Sequence, residues 1–425
     1  MIKFLFLVTL LLATVVAFPS YGGSDDNTVA PLLSYPNAEY IPGEYIVVFK
    51  GVVTDERISC HHNDVNSLLY EERRVLKRGF MDELISGIRH TYDFEGFRGY
   101  SGRFSESVLA KIRQSDDVAF VEPNQRIYPR IVQPDSPWGL ARISHRERLV
   151  GSTIATYQYD ASAGKGVTAY VVDTGVNINH TDFGGRARWG ANFSPGQPDQ
   201  DLGGHGTHVA GTIAGTKYGV AKNAQIVAVK VLGPQGGSNA DVIKGVEWVV
   251  ADHKRAVEDA RRAGRVYPGS VINMSLGGGK STALDGAVEN AVTAGVVVVV
   301  AAGNENADAC NGSPSGADKV ITVGASTIED TRAWFSNWGR CVELFAPGRD
   351  ITSAWIGSNT ATNKISGTSM ASPHVAGLAA YYLGLSPKTP LTPQQVLTKI
   401  LNTATRNALC EVANSPNLLA YNGFV

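Results

Sequence analysis

Four cysteines in 425 residues are too few to serve as a disulfide framework, so an extended hydrophobic core has to hold this chain together. Lysine and arginine (38) nearly balance aspartate and glutamate (39), for a net charge of −1. That balance excludes a strongly basic surface, and neither nucleic acid nor a membrane is expected as a partner. Apolar runs long enough to span a bilayer, about 20 residues, are missing as well. FLFLVTLLLAT (4–14) stops short, and AGVVVVVAAG (294–303) is brief and bounded by glycine. No internal repeat and no low-complexity tract interrupts the chain. What is present is 43% hydrophobic and 18% charged residues, the balance of a well-cored globular protein. The length allows more than one domain.

The N-terminus carries the marks of a secretory signal peptide over residues 1–17. Lys3 supplies the positive end, residues 4–14 the apolar run, and Val15 and Ala17 the small residues before a cut at Ala17–Phe18. The expectation is a protein secreted to the extracellular medium; delivery to a vacuole begins with the same signal and stays open. Residues 18–41 form a polar, turn-rich linker. Cys60 falls in a region expected to be removed, which leaves Cys310, Cys341 and Cys410. Cys310–Cys341 is the preferred bridge, with Cys410 a free or partly buried thiol, although spacing does not fix the pairing. Sequons stand at Asn179, Asn192 and Asn311; Asn273 also matches but lies in an expected buried strand.

A compact segment follows at about 42–128. Its strands are EYIVVFK (44–50) and DVAFVEPNQRIY (117–128), its helices SLLYEERRVLKRGF (67–80) and ESVLAKIRQ (106–114), a small α/β unit. After the prolines of PDSPWGLARIS (134–144), strands and helices alternate as in a parallel α/β sheet. Strands are expected at 167–173, 226–232, 270–277 and 296–304. Helices are expected from 207, over 241–263 with Asn239 as cap, at 283–294, and at 371–384. The near-continuous apolar strand runs suit burial on both faces.

Three glycine-rich motifs carry chemistry: VVDTG around Asp173, GHGTHVAGT around His205 and SGTSMASPHVAG around Ser369. Acyl transfer needs a hydroxyl that attacks, an imidazole that takes its proton and a carboxylate that fixes the tautomer. Each residue has a plainer reading alone. A strand-end Asp commonly caps a turn, and a Ser at a helix start is commonly an N-cap. His205 and His208 at i, i+3 without nearby Cys or Glu make poor zinc grammar. His205 is therefore read as the base, with His208 and His374 as packed structural residues. Asn304, after the most hydrophobic strand, could join the Ser369 backbone N–H in holding an oxyanion. An esterase would show Gly-x-Ser-x-Gly with acid and His after the Ser, which this chain lacks. A binding protein that had lost its chemistry is the remaining alternative, but no member of the set is missing.

With these residues in hand, the chain resembles the subtilisin family of serine proteases, whose chain order is also Asp, His, Ser. It is most similar to the proteinase K branch. The resemblance covers about residues 131–425 and extends to PWGLARIS (137–144), YGVAK (218–222), SLGGG (275–279), FSNWG (335–339) and NLLAYN (417–422). It implies an α/β three-layer sandwich with a mostly parallel central sheet, preceded by a small α/β propeptide domain. By that likeness Asp173 is the orienting acid, His205 the general base, Ser369 the nucleophile and Asn304 the oxyanion donor. Extended polypeptide substrates would lie between Gly236-Gly237-Ser238 and Ser275-Leu276-Gly277, which implies a broad endopeptidase. Ala301, Ala302 and Gly303 would line a pocket for apolar or aromatic side chains.

Residues 42–130 are similar to an inhibitor-type propeptide, so the chain's own propeptide is expected as an intramolecular inhibitor. The mature peptidase domain, 131–425, would begin near Ile131, as a monomer with no cofactor for catalysis. Several positions depart from the proteinase K pattern: Val209 replaces a cysteine and Ala240 a tyrosine lid. The Cys310–Cys341 pair looks instead like the bridge of aqualysin-type relatives. A family calcium site has an aspartate where this chain has Glu343, the single candidate ligand for a structural calcium.

Overall fold

The computed structural model describes residues 29–35, 40–75, 87–125 and 130–424. The expected signal peptide and its cut site lie outside the described residues, as do most of the linker and residues 76–80 of the expected helix. The chain divides into two compact units, Met1–Ile127 and Tyr128–Val425.

The first unit is a four-stranded antiparallel sheet in the order Gly87–Phe94, Phe97–Arg103, Tyr40–Phe49, Val118–Gln125. The helices Asp55–Val75 and Glu106–Arg113 supply Val65, Leu69, Val108 and Ile112 to a core shared with Val47, Phe49, Tyr100 and Val121. Two of its strands escape the sequence reading. Gly87–Phe94 is exposed along most of its length, so no apolar alternation marks it. The hairpin turns at Glu95 and Gly96, both at positive φ (43° and 87°), as a right-handed twist requires of a two-residue loop.

The second unit is built on a nine-stranded sheet. From one edge the order is Thr405–Arg406, Leu418–Leu419, Leu344–Pro347, Ile321–Ser326, Val297–Ala301, Ser270–Met274, Thr168–Asp173, Gln225–Lys230, Ala187–Asn192. All neighbours run parallel except the first pair. The period of two explains the long apolar runs. Ala169, Val171, Val297 and Val299 enter one core with the helices His205–Ala214 and Thr368–Leu385. Tyr170, Val172, Val298 and Val300 enter a second core beneath Asn239–Arg262 and Thr282–Thr293. The three-layer α/β sandwich is thus formed, with helices on both faces.

The long helix begins two residues earlier than expected, and Ser238, not Asn239, is its cap. Ser238 accepts from Asp241 N–H while the Asp241 side chain reaches back to the Ser238 N–H, a reciprocal pair that Asn239 cannot make. Cys310 and Cys341 are bridged across 31 positions; Cys60 and Cys410 are free and exposed. Among the described residues, no helix is long and apolar enough to cross a membrane.

Candidate active site

The strands Thr168–Asp173 and Ser270–Met274 are neighbours; the two sheet strands that follow the first in the chain lie on one side of it, and every sheet strand after the second lies on the other side. Open α/β sheets leave a crevice at the carboxyl ends of strands at such a reversal. Asp173 stands there, fully buried, because it ends the first strand of the sheet. His205 is the first residue of its helix, after Gly204 at φ 81°. The structure brings the two together: His205 Nδ1 is 2.8 Å from Asp173 Oδ1 and 3.0 Å from Oδ2. This approach depends on Gly206, where a Cβ would stand 2.1 Å from the Gly175 carbonyl oxygen and 3.2 Å from Asp173 Cβ. Burial alone would push the imidazole pKa down. The charge and hydrogen bond of Asp173, with the charge of Asp201, outweigh it, and the pKa is raised. A raised imidazole beside a fixed carboxylate can accept and return a proton.

Ser369 is the second residue of the helix Thr368–Leu385, whose N-cap is Gly367, so the plain N-cap reading of this serine does not hold. Its backbone N–H is among the helix-start donors without an intrahelical partner. Its hydroxyl donates to the Ser275 carbonyl oxygen at 3.2 Å, and not to His205. The Ser275 hydroxyl donates in turn to the Ser369 carbonyl oxygen at 2.7 Å. That oxygen is free because its helical partner would be Pro373, which has no N–H. Behind Ser275 lies a buried relay: Asn273 Nδ2 donates to Ser275 Oγ at 2.9 Å, and Ser372 Oγ donates to Asn273 Oδ1 at 2.8 Å. Asn273, 1% exposed, thus supports the segment around Ser369 and is closed to glycosylation.

Asn304 is exposed, with its Oδ1 held by Thr368 N–H at 2.8 Å and Thr368 Oγ1 at 3.0 Å. Thr368 Oγ1 also accepts from Gly303 N–H at 3.1 Å. The Asn304 Nδ2 group is left free of hydrogen bonds among the described residues, as an oxyanion donor must be before substrate binds. His208 and His374 are buried and pushed down to about 4 by burial. They bond the carbonyl oxygens of Ile351 (2.9 Å) and Met370 (2.8 Å), in keeping with their structural reading.

The expected substrate contacts divide. Gly236, Gly237 and Ser238 are exposed at the loop before the long helix, and Gly277 is exposed beside half-buried Leu276. Ser275 is 4% exposed and its side chain is spent on Ser369. Of the pocket candidates, Ala301 is 6% exposed and Gly303 partly exposed. Ala302 turns away, into a cluster with Ala309, Val342 and Phe345. The sequence reading missed Thr368, Asn273 and Pro373 as supports, although Thr368 and Pro373 stand inside the quoted serine motif.

The subtilase family profile matches residues 164–422, and that of peptidase inhibitor I9 matches residues 44–129. A subtilisin-like protease of Coccidioides posadasii is 48% identical over 93% of this chain and 83% of its own length. Alkaline protease 2 of Aspergillus fumigatus is 47% identical over 98% of this chain and 88% of its own. The crystal structure of a cold adapted subtilisin-like serine proteinase is 47% identical, with a TM-score of 0.61. It spans 68% of this chain and 98% of that one.

Proposed function

The chain belongs to the subtilase family of serine proteases, carrying an I9-type inhibitor propeptide ahead of its peptidase domain, and from that premise we propose how its residues work and where it acts. The Ser369 hydroxyl swings from the Ser275 carbonyl to His205 Nε2, loses its proton there and attacks the scissile carbonyl. Asp173 holds the Nδ1–H tautomer and balances the imidazolium that forms. Asn304 Nδ2 and the Ser369 N–H receive the oxyanion. His205 then protonates the leaving amine, and water repeats the sequence on the acyl-enzyme. Subtilases need no cofactor for this. The observation that carries the reading is the two-pronged contact of His205 Nδ1 with the buried Asp173 carboxylate.

Extended peptides pairing with the exposed Gly236-Gly237 segment and with Leu276-Gly277 would be held mainly through main chain. That supports broad endopeptidase specificity on polypeptides. We place the mature start near Ile131 and read the product as secreted, on the strength of residues 1–17, acting as a monomer. Glu343 fits a calcium site poorly. One of its oxygens accepts from Thr322 N–H at 2.6 Å, and burial pushes the carboxyl up to about 7. Among the described residues no group of three or more His, Cys, Asp or Glu could hold a metal.

Intact mass and N-terminal sequencing of wild type beside Ser369→Ala test the reading. A wild type trimmed to about residue 131 with an uncut, inactive mutant is the expected pair. An active Ser369→Ala chain would remove Ser369 from the mechanism.

A further inference from the structure

Asp201, 4% exposed, lies in the loop that leads into the His205 helix. Its Oδ1 accepts from Gly203 N–H (3.0 Å), Gly204 N–H (2.8 Å) and Thr174 Oγ1 (2.9 Å). Its Oδ2 accepts from Thr207 N–H (3.0 Å) and Thr207 Oγ1 (2.6 Å). Two of these partners extend the tie. Thr174 Oγ1 accepts from Gly206 N–H at 2.9 Å, and Thr207 Oγ1 accepts from Asn177 N–H at 2.9 Å.

The donors stand on both sides of His205 and immediately after Asp173. The N-cap, Gly204, has no side chain to satisfy the first helical N–H groups, so the carboxylate of Asp201 does it from outside the helix. One buried anion thus ties the end of the acid's strand to the start of the base's helix. A carboxamide of the same shape would not replace it, because its NH₂ would face donors that need an acceptor.

We propose that Asp201 is a positioning residue for the proton transfer at His205, clamping residues 203–207 to the Thr174 strand end so that the imidazole stays against Asp173. The inference rests on the reading of Asp173, His205 and Ser369 as the reacting set. A cap that merely stabilised the helix would leave the chemistry of each folded molecule unchanged.

The charges around His205 make the two roles separable. Asp173 faces it from the strand and Asp201 from the loop. Lys230, paired with Asp173 in the sheet register, is 1% exposed and donates to the carbonyl oxygens of Thr174 (2.6 Å) and Leu232 (2.9 Å). His208 on the same helix is neutral above about pH 4. The Asp201 charge acts with Asp173 to raise the imidazole, so its removal lowers the pH at which His205 becomes a competent base.

The test uses the full chain with its propeptide, in wild type, Asp201→Asn, Thr174→Val and Ser369→Ala. Active sites are titrated with a fluorophosphonate, and kcat and KM on a chromogenic peptide are followed from about pH 5 to about pH 10. Expected for Asp201→Asn is a loss of about 10–100-fold in kcat per titrated site. KM should change little, and the acid limb should move to lower pH. Thr174→Val keeps the charge and loses two ties, the hydrogen bond to Asp201 and the one from Gly206 N–H, so kcat should fall less and the limb stay in place. Wild-type kcat and an unmoved limb in Asp201→Asn overturn the inference, whatever its melting temperature. If Asp201→Asn does not fold, Thr174→Val decides: a lowered kcat supports the clamp and a wild-type kcat overturns it. Peptidase activity in Ser369→Ala would instead sink the underlying assignment. An inactive Ser369→Ala beside an unaffected Asp201→Asn sinks only the role of Asp201.

Discussion

Removing the Cys310–Cys341 bridge should lower the stability of the peptidase unit by an amount that follows from its position. The bridge closes a loop of 31 positions that contains the Ile321–Ser326 strand. Cross-linking a loop of that length removes about 12 cal/mol/K of chain entropy from the unfolded state, about 3.7 kcal/mol at 25 °C. Unfolding a unit of roughly 300 residues has an entropy of about 0.6 kcal/mol/K, so the melting temperature should fall by about 6 °C. Both cysteines have to be replaced, as Cys310→Ala with Cys341→Ala. A single change would leave an orphan thiol that dissolved oxygen could couple oxidatively with the exposed Cys410 of another molecule. Scanning calorimetry on enzyme blocked with a sulfonyl fluoride keeps self-digestion from being read as unfolding. Thiol titration of native processed wild type is the companion measurement, and one reactive thiol, Cys410, is expected. A fall of less than about 2 °C would refute the entropic reasoning, and three reactive thiols would refute the bridge.

Peptidase activity should show an acid limb above the ordinary histidine value of about 6.5, because Asp173 and Asp201 raise His205 and only the neutral imidazole is a base. A pH–rate profile with its limb at or below about 6.5 would contradict this. The sign for stability is opposite. The charged imidazole stabilises the fold below its unfolded pKa, and that contribution is lost as pH rises through the raised folded value, which pH-dependent thermal scans would record. Asn304→Ala should lose about 10²–10³ in kcat with little change in KM, a magnitude carried over from subtilisin and read by steady-state kinetics. Gly206→Ala should abolish activity and processing, since its Cβ meets the Gly175 carbonyl oxygen. Gly286→Ala, half-buried in the helix Thr282–Thr293 with nothing within 4 Å of an added Cβ, should be neutral or stabilise by up to about 1 kcal/mol, and gel analysis with thermal melts separates the two.

Much of the architecture was legible because its signals are local. The buried strands announce themselves as apolar runs, and the helices Glu106–Arg113 and Thr282–Thr293 fall within one residue of expectation. The failures have equally physical causes. The hairpin Gly87–Arg103 has an edge strand with little to bury, so it leaves no periodicity to read. The cap falls on Ser238 and not on the expected Asn239, because the Ser238–Asp241 reciprocity emerges only once both side chains are placed.

By itself, then, the sequence determined the class of fold, the residue types available for acyl transfer, and the order in which they occur. Such information resides in short runs, where periodicity and glycine content record local backbone demands. Only the tertiary structure decided which atoms meet. The Asp173–His205 contact joins positions 32 apart, and the Ser275 hydroxyl reaches a carbonyl 94 positions away, left open by Pro373. The clamp at Asp201 likewise exists only where strand end, loop and helix start converge. Hydrogen-bond geometry depends on that convergence to within tenths of an ångström, and spacing along a chain does not carry it.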